Sequence, residues 1–199
     1  MSDTIFVTGW AGYADLFPNL AARSEFLLPF IHQTEREVFD RLDSTTASTL
    51  VAWSTGAHMV LKRWTRVAPK FDRIVLVAPF LCFTDHVREK LVRHMIRDLR
   101  RDDEAVVRAF LRNCGYNGNY RYDRSHLDGL FTGLEYLRAS RAMPSNLHAE
   151  KVTILHGEHD RIVPPVASED IWEIMRGATF VALPHGHWIP EDELETFLA

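Results

Sequence analysis

The stretch "TLVAWSTGAHMVLKRW" (residues 49–64) changes character at one residue. Before Ser54 it is a run of β-favouring or small residues; after it the apolar positions follow a helical pattern. A tight strand-to-helix turn lifts one side chain above the sheet, and the crowded backbone there needs small residues two before and two after. Ala52-Trp53-Ser54-Thr55-Gly56 meets that need, a G-x-S-x-G arrangement with alanine in first place. A helix starting at Thr55 would aim its unpaired N–H groups at the point where an oxyanion forms. The pentapeptide alone does not decide the matter, because a serine that merely caps the helix N-terminus would read the same way.

Working outward, a short apolar run followed by an amphipathic stretch recurs along the chain. The runs are "TIFVTG" (4–9), "FLLPFI" (26–31), "TLVAWS" (49–54), "RIVLVAP" (73–79), "KVTILHG" (151–157) and "TFVALPHG" (179–186). Most are unbroken rather than alternating, as expected of parallel strands covered on both faces. The second is the weakest, since Pro29 argues against a central strand. Helix candidates lie at about 11–22, 34–43, 56–68, 165–176 and 190–198. This alternation predicts an α/β fold of about six mostly parallel strands with helices on both faces. From about 80 to 148 no strand is expected. That interval is helical and charged, and is read as a cap inserted over the sheet's carboxyl edge, where ligands bind in open α/β sheets. Residues 1–199 are expected to form one domain carrying that insertion.

Composition excludes several classes. The chain has 199 residues, 46% hydrophobic and 25% charged, with a formal net charge of −4. That balance gives no global reason to expect nucleic acid or membrane as partner. No apolar stretch approaches the roughly 18 residues a membrane helix needs, and the first residues lack the basic character of a signal peptide. Cys82 and Cys114 have neither metal-ligand nor redox spacing, and a reducing cytoplasm is the expected setting. No cofactor is expected.

A serine hydroxyl needs a base, and the base needs a carboxylate to orient it. Two later strands end with candidates. "EHDRIVPP" places Asp160 just past one strand, and "HWIPEDE" places His187 just past the last. The order Ser54, Asp160, His187 is nucleophile, acid, base, each at a carboxyl end of the sheet.

On these residues the chain resembles the α/β-hydrolases. A-W-S-T-G matches the nucleophile elbow, "HGEHDRIVP" the acid loop and "PHGHWIPEDE" the histidine loop, so the likeness spans nearly the whole chain. Two departures stand out. The family's N-terminal antiparallel strands are missing, and "TGWAG" replaces the familiar His-Gly after the first strand. Within the family, "FVTGWAG" and "LVAWSTGAH" resemble the small esterases of biotin synthesis that remove the methyl ester from pimeloyl-acyl-carrier protein. That resemblance implies an oxyanion hole made by the backbone N–H groups of Trp10 and Thr55. It also implies an acyl-chain ester substrate, with acyl-carrier protein as a partner.

Competing assignments follow from the same residues. Asp160 could serve only as a turn residue, and Asp85, past the fourth strand, is an alternative acid. His185 rivals His187, which is preferred because it follows Gly186. His58 and His156 are read as packed or hydrogen-bonded structural residues. The grouping of His156, His159, Asp160, His185 and His187 could suggest a metallohydrolase, but metal ligation would leave Ser54 without a purpose, so no metal is expected.

In "REKLVRHMIRDLRR" (88–101), Arg93, Arg97, Arg100 and Arg101 share a helix face opposite Leu91, Val92, Met95, Ile96 and Leu99. The face is either simply solvated or a docking surface for an acidic or phosphorylated partner. Phe80, Leu81, Phe83, Phe110, Leu130, Phe131 and Leu134 are expected to include an apolar lining for an acyl chain. The expected activity is serine-dependent hydrolysis of a carboxylic ester. A general small-molecule carboxylesterase and a hydrolase-fold binding protein without turnover remain open beside the carrier-linked substrate.

Overall fold

The computed structural model describes residues 3–145 and 149–198. Six strands form one sheet in the order β2-β1-β3-β4-β5-β6, and every neighbouring pair is parallel. They are β1 (Thr4–Val7), β2 (Glu25–Leu27), β3 (Thr49–Trp53), β4 (Arg73–Val77), β5 (Val152–Gly157) and β6 (Thr179–Leu183). The expected "mostly parallel" sheet is therefore parallel throughout. Pro29 falls outside β2, which is an edge strand only three residues long.

Apolar residues at successive strand positions feed opposite faces, as the two-residue period of a strand requires. Phe6, Val51, Trp53, Val75, Val77 and Leu155 pack on one face. Ile5, Val7, Leu50, Ala52, Ile74, Leu76 and Ile154 pack on the other. Both faces being covered, each such side chain leaves water almost completely, which stabilises the fold by roughly 1.5–3 kcal/mol for a Val, Leu, Ile or Phe.

The second face is covered by α2 (Glu35–Ser44), α3 (Thr55–Lys62), α4 (Trp64–Val67) and α9 (Val166–Ile174), through Val38, Leu42, Met59, Leu61, Trp64 and Ile171. Thr34 starts α2 with a capping box: its hydroxyl accepts from the Glu37 N–H while the Glu37 carboxylate accepts from the Thr34 N–H. The helix expected at 56–68 is broken at Arg63, whose ψ of 15° departs from helix geometry and separates α3 from α4. The helix expected at 11–22 also splits. A 3-10 turn at Ala14–Leu16 ends at Phe17 (φ −143°), and α1 (Pro18–Arg23) begins with Pro18 in its first turn. Proline disfavours helical geometry in the residue before it, which places the break.

Between β4 and β5 the described residues contain helices and no strand: α5 (Phe83–His86), α6 (Glu89–Leu99), α7 (Asp103–Asn113) and α8 (Leu127–Ala139). Val92, Leu99, Val107, Phe110, Leu111, Leu130 and Leu134 of these helices join the first-face core. The final short helix, α10 (Glu191–Glu195), adds Leu194 to the same face. Among the described residues no helix is long and apolar enough to cross a membrane.

Candidate active site

Ser54 stands between β3 and α3 with φ 55° and ψ −114°, in the left-handed region that a side chain adopts at a cost of about 1–3 kcal/mol. Its N–H donates to the Val77 carbonyl at 2.8 Å, which ties the turn to the end of β4. The two glycines around it have steric reasons to be glycine. A Cβ on Gly56 would lie 2.2 Å from the Val7 carbonyl oxygen, so only glycine lets α3 start against the end of β1. A Cβ on Gly9 would lie 2.9 Å from the Ser54 Cβ, so the loop after β1 passes directly against the serine. Ala11 and Ala78, past the ends of β1 and β4, also have positive φ, so strained backbone gathers along this carboxyl rim.

Asp160 follows β5 and His187 follows β6. The structure brings both to Ser54. His187 Nε2 lies 2.9 Å from Ser54 Oγ, and His187 Nδ1 lies 2.7 Å from Asp160 Oδ2. Asp160 Oδ1 accepts from the N–H groups of Ile162 (2.7 Å) and Val163 (2.9 Å). The side chains of Asp160 and His187 are fully buried. Burial alone would push the Asp160 carboxyl up; the charge of His187, its hydrogen bond, His156 and the Ile162 N–H together outweigh burial and hold it below the usual carboxylate range. An ionised carboxylate against Nδ1 fixes the ring with its proton on that nitrogen, which leaves Nε2 ready to accept from the serine hydroxyl.

Trp53, the residue before the serine, stands at an unspecified position of the G-x-S-x-G pattern. Its indole N–H donates to the His187 carbonyl at 2.8 Å, and its ring lies 5.3 Å from the imidazole. The signal was a tryptophan at a buried turn, since a buried indole N–H needs an acceptor. Trp10 follows Gly9 on the neighbouring loop and is itself pinned by its indole N–H to the Leu130 carbonyl at 2.8 Å. Thr55, the first residue of α3, has an N–H with no acceptor inside its own helix.

Above Ser54 is a cavity of about 290 Å³. Phe83, Phe110 and Leu134 line it, as expected, whereas Phe80, Leu81, Leu130 and Phe131 do not. Leu91, Val92 and Met95 of α6 add to its apolar wall, as do Trp10, Val87, Leu137 and Ile162. Its polar lining includes His94, Asp98 and Arg161. Phe80 is instead stacked on His58, with ring centroids 5.0 Å apart.

The competing candidates go elsewhere. Asp85 forms a two-pronged pair with Arg141 at 2.6 and 2.9 Å, and that hydrogen bonding lowers its pKa. His185 pairs with Glu193. Arg93 pairs with Glu89 at 2.9 Å, Arg97 with Asp98 at 2.8 Å, and the Arg100 guanidinium sits 5.7 Å from the Phe131 ring centre. These arginines and Arg101 do not line the cavity. Cys82 and Cys114 are free and buried.

The sheet, its crossovers and the elbow at Ser54 define the α/β-hydrolase fold. More particularly, the chain is similar to an esterase, EaEST, from Exiguobacterium antarcticum (TM-score 0.70, 18% identity, covering 98% of this chain and 88% of that one). It is similar also to BioG from Haemophilus influenzae (TM-score 0.69, 15% identity, covering 94% and 88%). In sequence it matches the pyrrolizixenacetamide deacetylase of Xenorhabdus hominickii, 26% identical over 165 residues, covering 75% of this chain and 62% of that protein. The chain thus spans less than two thirds of that relative's length. No family model matches the chain.

Proposed function

We propose that this chain is a serine-dependent hydrolase of carboxylic esters, working as one α/β-hydrolase unit in which the helices between β4 and β5 cap the carboxyl rim. One observation carries the reading: the unbroken line from Ser54 Oγ through His187 to Asp160, at 2.9 and 2.7 Å. The esterase and deacetylase relatives support it.

In this reading Ser54 Oγ attacks the ester carbonyl carbon while its proton passes to His187 Nε2. Asp160 stabilises the imidazolium that results. Negative charge on the former carbonyl oxygen is met by the N–H groups of Trp10 and Thr55, and one such donor is worth about 3 kcal/mol in related sites. The alkoxide leaves with the proton from His187, which gives an acyl-enzyme and an alcohol. Water then attacks the acyl carbon, His187 takes its proton, and the acid departs as Ser54 regains a hydrogen. The apolar cavity of about 290 Å³ suits an acyl chain.

The finer assignment is the methyl ester of pimeloyl-acyl-carrier protein. The resemblance of "FVTGWAG" and "LVAWSTGAH" to the biotin-synthesis esterases supports it, as does the likeness to BioG. Arg93, Arg97, Arg100 and Arg101 are the proposed docking surface for the acidic carrier. Ion pairing of Arg93 and Arg97 within α6 lowers the charge that face can offer. If docking operates, raising salt from about 50 to 200 mM slows turnover of the carrier-linked ester and leaves p-nitrophenyl acetate unaffected, because surface charges are screened. An equal response of both substrates removes the carrier from the proposal.

The deciding experiment is labelling by a fluorophosphonate. Wild type is expected to label at Ser54 and Ser54→Ala not at all. A wild type that binds an acyl ligand yet never labels belongs to a non-catalytic binding protein instead. Comparing p-nitrophenyl acetate with p-nitroacetanilide then separates ester from amide cleavage, the reaction named for the deacetylase relative.

A further inference from the structure

We propose that His156 is a positioning residue for the acid of this site: its Nε2–H donates to the carbonyl of Val163, the residue whose own N–H holds Asp160 Oδ1, and lies beside the Asp160 oxygen that holds His187. The inference rests on the serine-hydrolase reading above and adds a fourth side chain to it. His156 closes β5, four residues before Asp160, and its side chain is 1% exposed. Its Nε2 lies 3.0 Å from the Val163 carbonyl oxygen and 3.3 Å from Asp160 Oδ2. Both neighbours are acceptors, so Nε2 carries a proton. Nδ1 lies 2.7 Å from Ser168 Oγ, which in turn is 3.1 Å from the Pro79 carbonyl oxygen. The one Ser168 hydroxyl hydrogen can go to the Pro79 carbonyl or to His156 Nδ1; with the ring neutral and its proton on Nε2 it goes to Nδ1, the shorter contact. Burial keeps the ring in that neutral form by lowering its pKa, although the Asp160 charge pulls the other way.

Neutrality matters to the chemistry. A charged His156 would compete with the imidazolium that forms on His187 for the one carboxylate between them. A neutral N–H 3.3 Å from Asp160 Oδ2 instead favours the carboxylate without cancelling its charge. The Val163 contact has a second effect. Val163 N–H donates to Asp160 Oδ1 while its carbonyl accepts from His156, so one ring braces both the carboxylate and the turn that carries it. The titratable groups that act on Asp160 are His156, His187 and the Cys114 thiol at the end of α7. Burial, then the Asp160 charge, pushes that thiol up and keeps it protonated, so it does not share the titration.

The attraction between the Nε2–H and Asp160 is strongest when no neighbouring positive charge offsets the carboxylate, that is, when His187 is neutral. Removing it favours protonated His187. His156→Leu is therefore expected to move the acid limb of the kcat/KM profile for p-nitrophenyl acetate upward by about 0.5–1 pH unit. It should also lower kcat about 3- to 10-fold with KM little changed, the range expected for one hydrogen bond to a neutral group. His156→Gln, which keeps an N–H donor at similar reach, should restore the limb and most of kcat. Equal losses in the two variants with an unmoved acid limb would mean that the ring only fills space, and would overturn the proposal.

If His156→Leu does not fold, the wild type decides. Nitrogen-15 spectra between pH 5 and 8 should show His156 as the Nε2–H tautomer, perturbed in Asp160→Asn. An Nδ1–H tautomer cannot donate to Val163 or present an N–H to Asp160, and ends the idea. Fluorophosphonate labelling of wild-type Ser54 is read in parallel. Absence of label strikes the hydrolase reading, whereas label with the wrong tautomer strikes only the role of His156.

Discussion

His58 and His187 are both buried and both hydrogen-bonded through each ring nitrogen. Their neighbours make them different groups. His187 has a carboxylate on one nitrogen and the serine hydroxyl on the other. His58 has the Phe80 carbonyl at 3.1 Å from Nδ1 and the Ser140 hydroxyl at 2.8 Å from Nε2. Behind Ser140 stands Lys62, 3.2 Å from the same hydroxyl and paired with Glu35, which also accepts from the Tyr136 hydroxyl. Burial depresses the His58 pKa to about 4, the Phe80 carbonyl opposes this, and the Lys62 charge deepens it. The ring stays neutral at neutral pH, donating to Phe80 and accepting from Ser140. It ties α3 to α8 and does not line the cavity. A histidine becomes a base through the charge on its far nitrogen; with a carbonyl there it is a strut.

The largest expected effect tests that distinction directly. Asp160→Asn should lower kcat/KM for p-nitrophenyl acetate about 10⁴-fold, because the amide no longer holds the needed tautomer of His187. His58→Gln should leave kcat/KM within about threefold, provided the enzyme is assayed where it is folded. If the two variants lose activity to a similar extent, the contrast between the two histidines collapses.

Much of the carboxyl rim could be read before any coordinates. The unbroken apolar runs gave the strands because parallel strands bury both faces, and the turn chemistry after each run placed Ser54, Asp160 and His187. The edge character of β2 was visible in Pro29. Three things were not legible. The break at Arg63 depends on local geometry that periodicity averages away, whereas the one at Phe17 was signalled by Pro18 and hidden only from the periodic pattern. The contact between His156 and Asp160 joins residues four apart across the end of a strand, a spacing that indicates a shared helix face only when the segment is helical. Which apolar residues of the insertion line the cavity is the third, because in a helical insertion they all look like lining. Which ones face Ser54 depends on helix packing: Phe83 and Leu134 do, while Phe80 turns to His58.

The next effect concerns stability. The folded pKa of His58, about 4, lies below its unfolded value near 6.5, so the unfolded chain binds a proton first as pH falls. The stabilising contribution of the neutral ring is present above pH 6.5 and is lost as pH drops through the folded value. The loss amounts to about 3 kcal/mol across that window. His156 is shifted in the same direction and adds its own loss, so the two must be separated by mutation. Urea midpoints for wild type should fall between pH 7 and pH 4.5, and those for His58→Gln should fall less steeply. Parallel slopes would show that His58 takes up its proton equally in the folded and unfolded chain, and would remove the effect assigned to its burial.

The smallest effect isolates the strut itself. Ser140→Ala removes the hydroxyl at His58 Nε2 and leaves Lys62 paired with Glu35. A buried acceptor that loses its donor costs about 1–2 kcal/mol, so the urea midpoint should drop with an unchanged slope against denaturant. Activity should not change, because Ser140 reaches neither the cavity nor His187 through any of its hydrogen bonds. The same substitution at Ser168 acts on the ring behind Asp160, and there a kinetic effect is expected beside a similar loss of stability. If Ser140→Ala slows the reaction while Ser168→Ala does not, the two clusters have been assigned the wrong way round. The chemistry would then have to run through α8 rather than through the loops that follow β5 and β6.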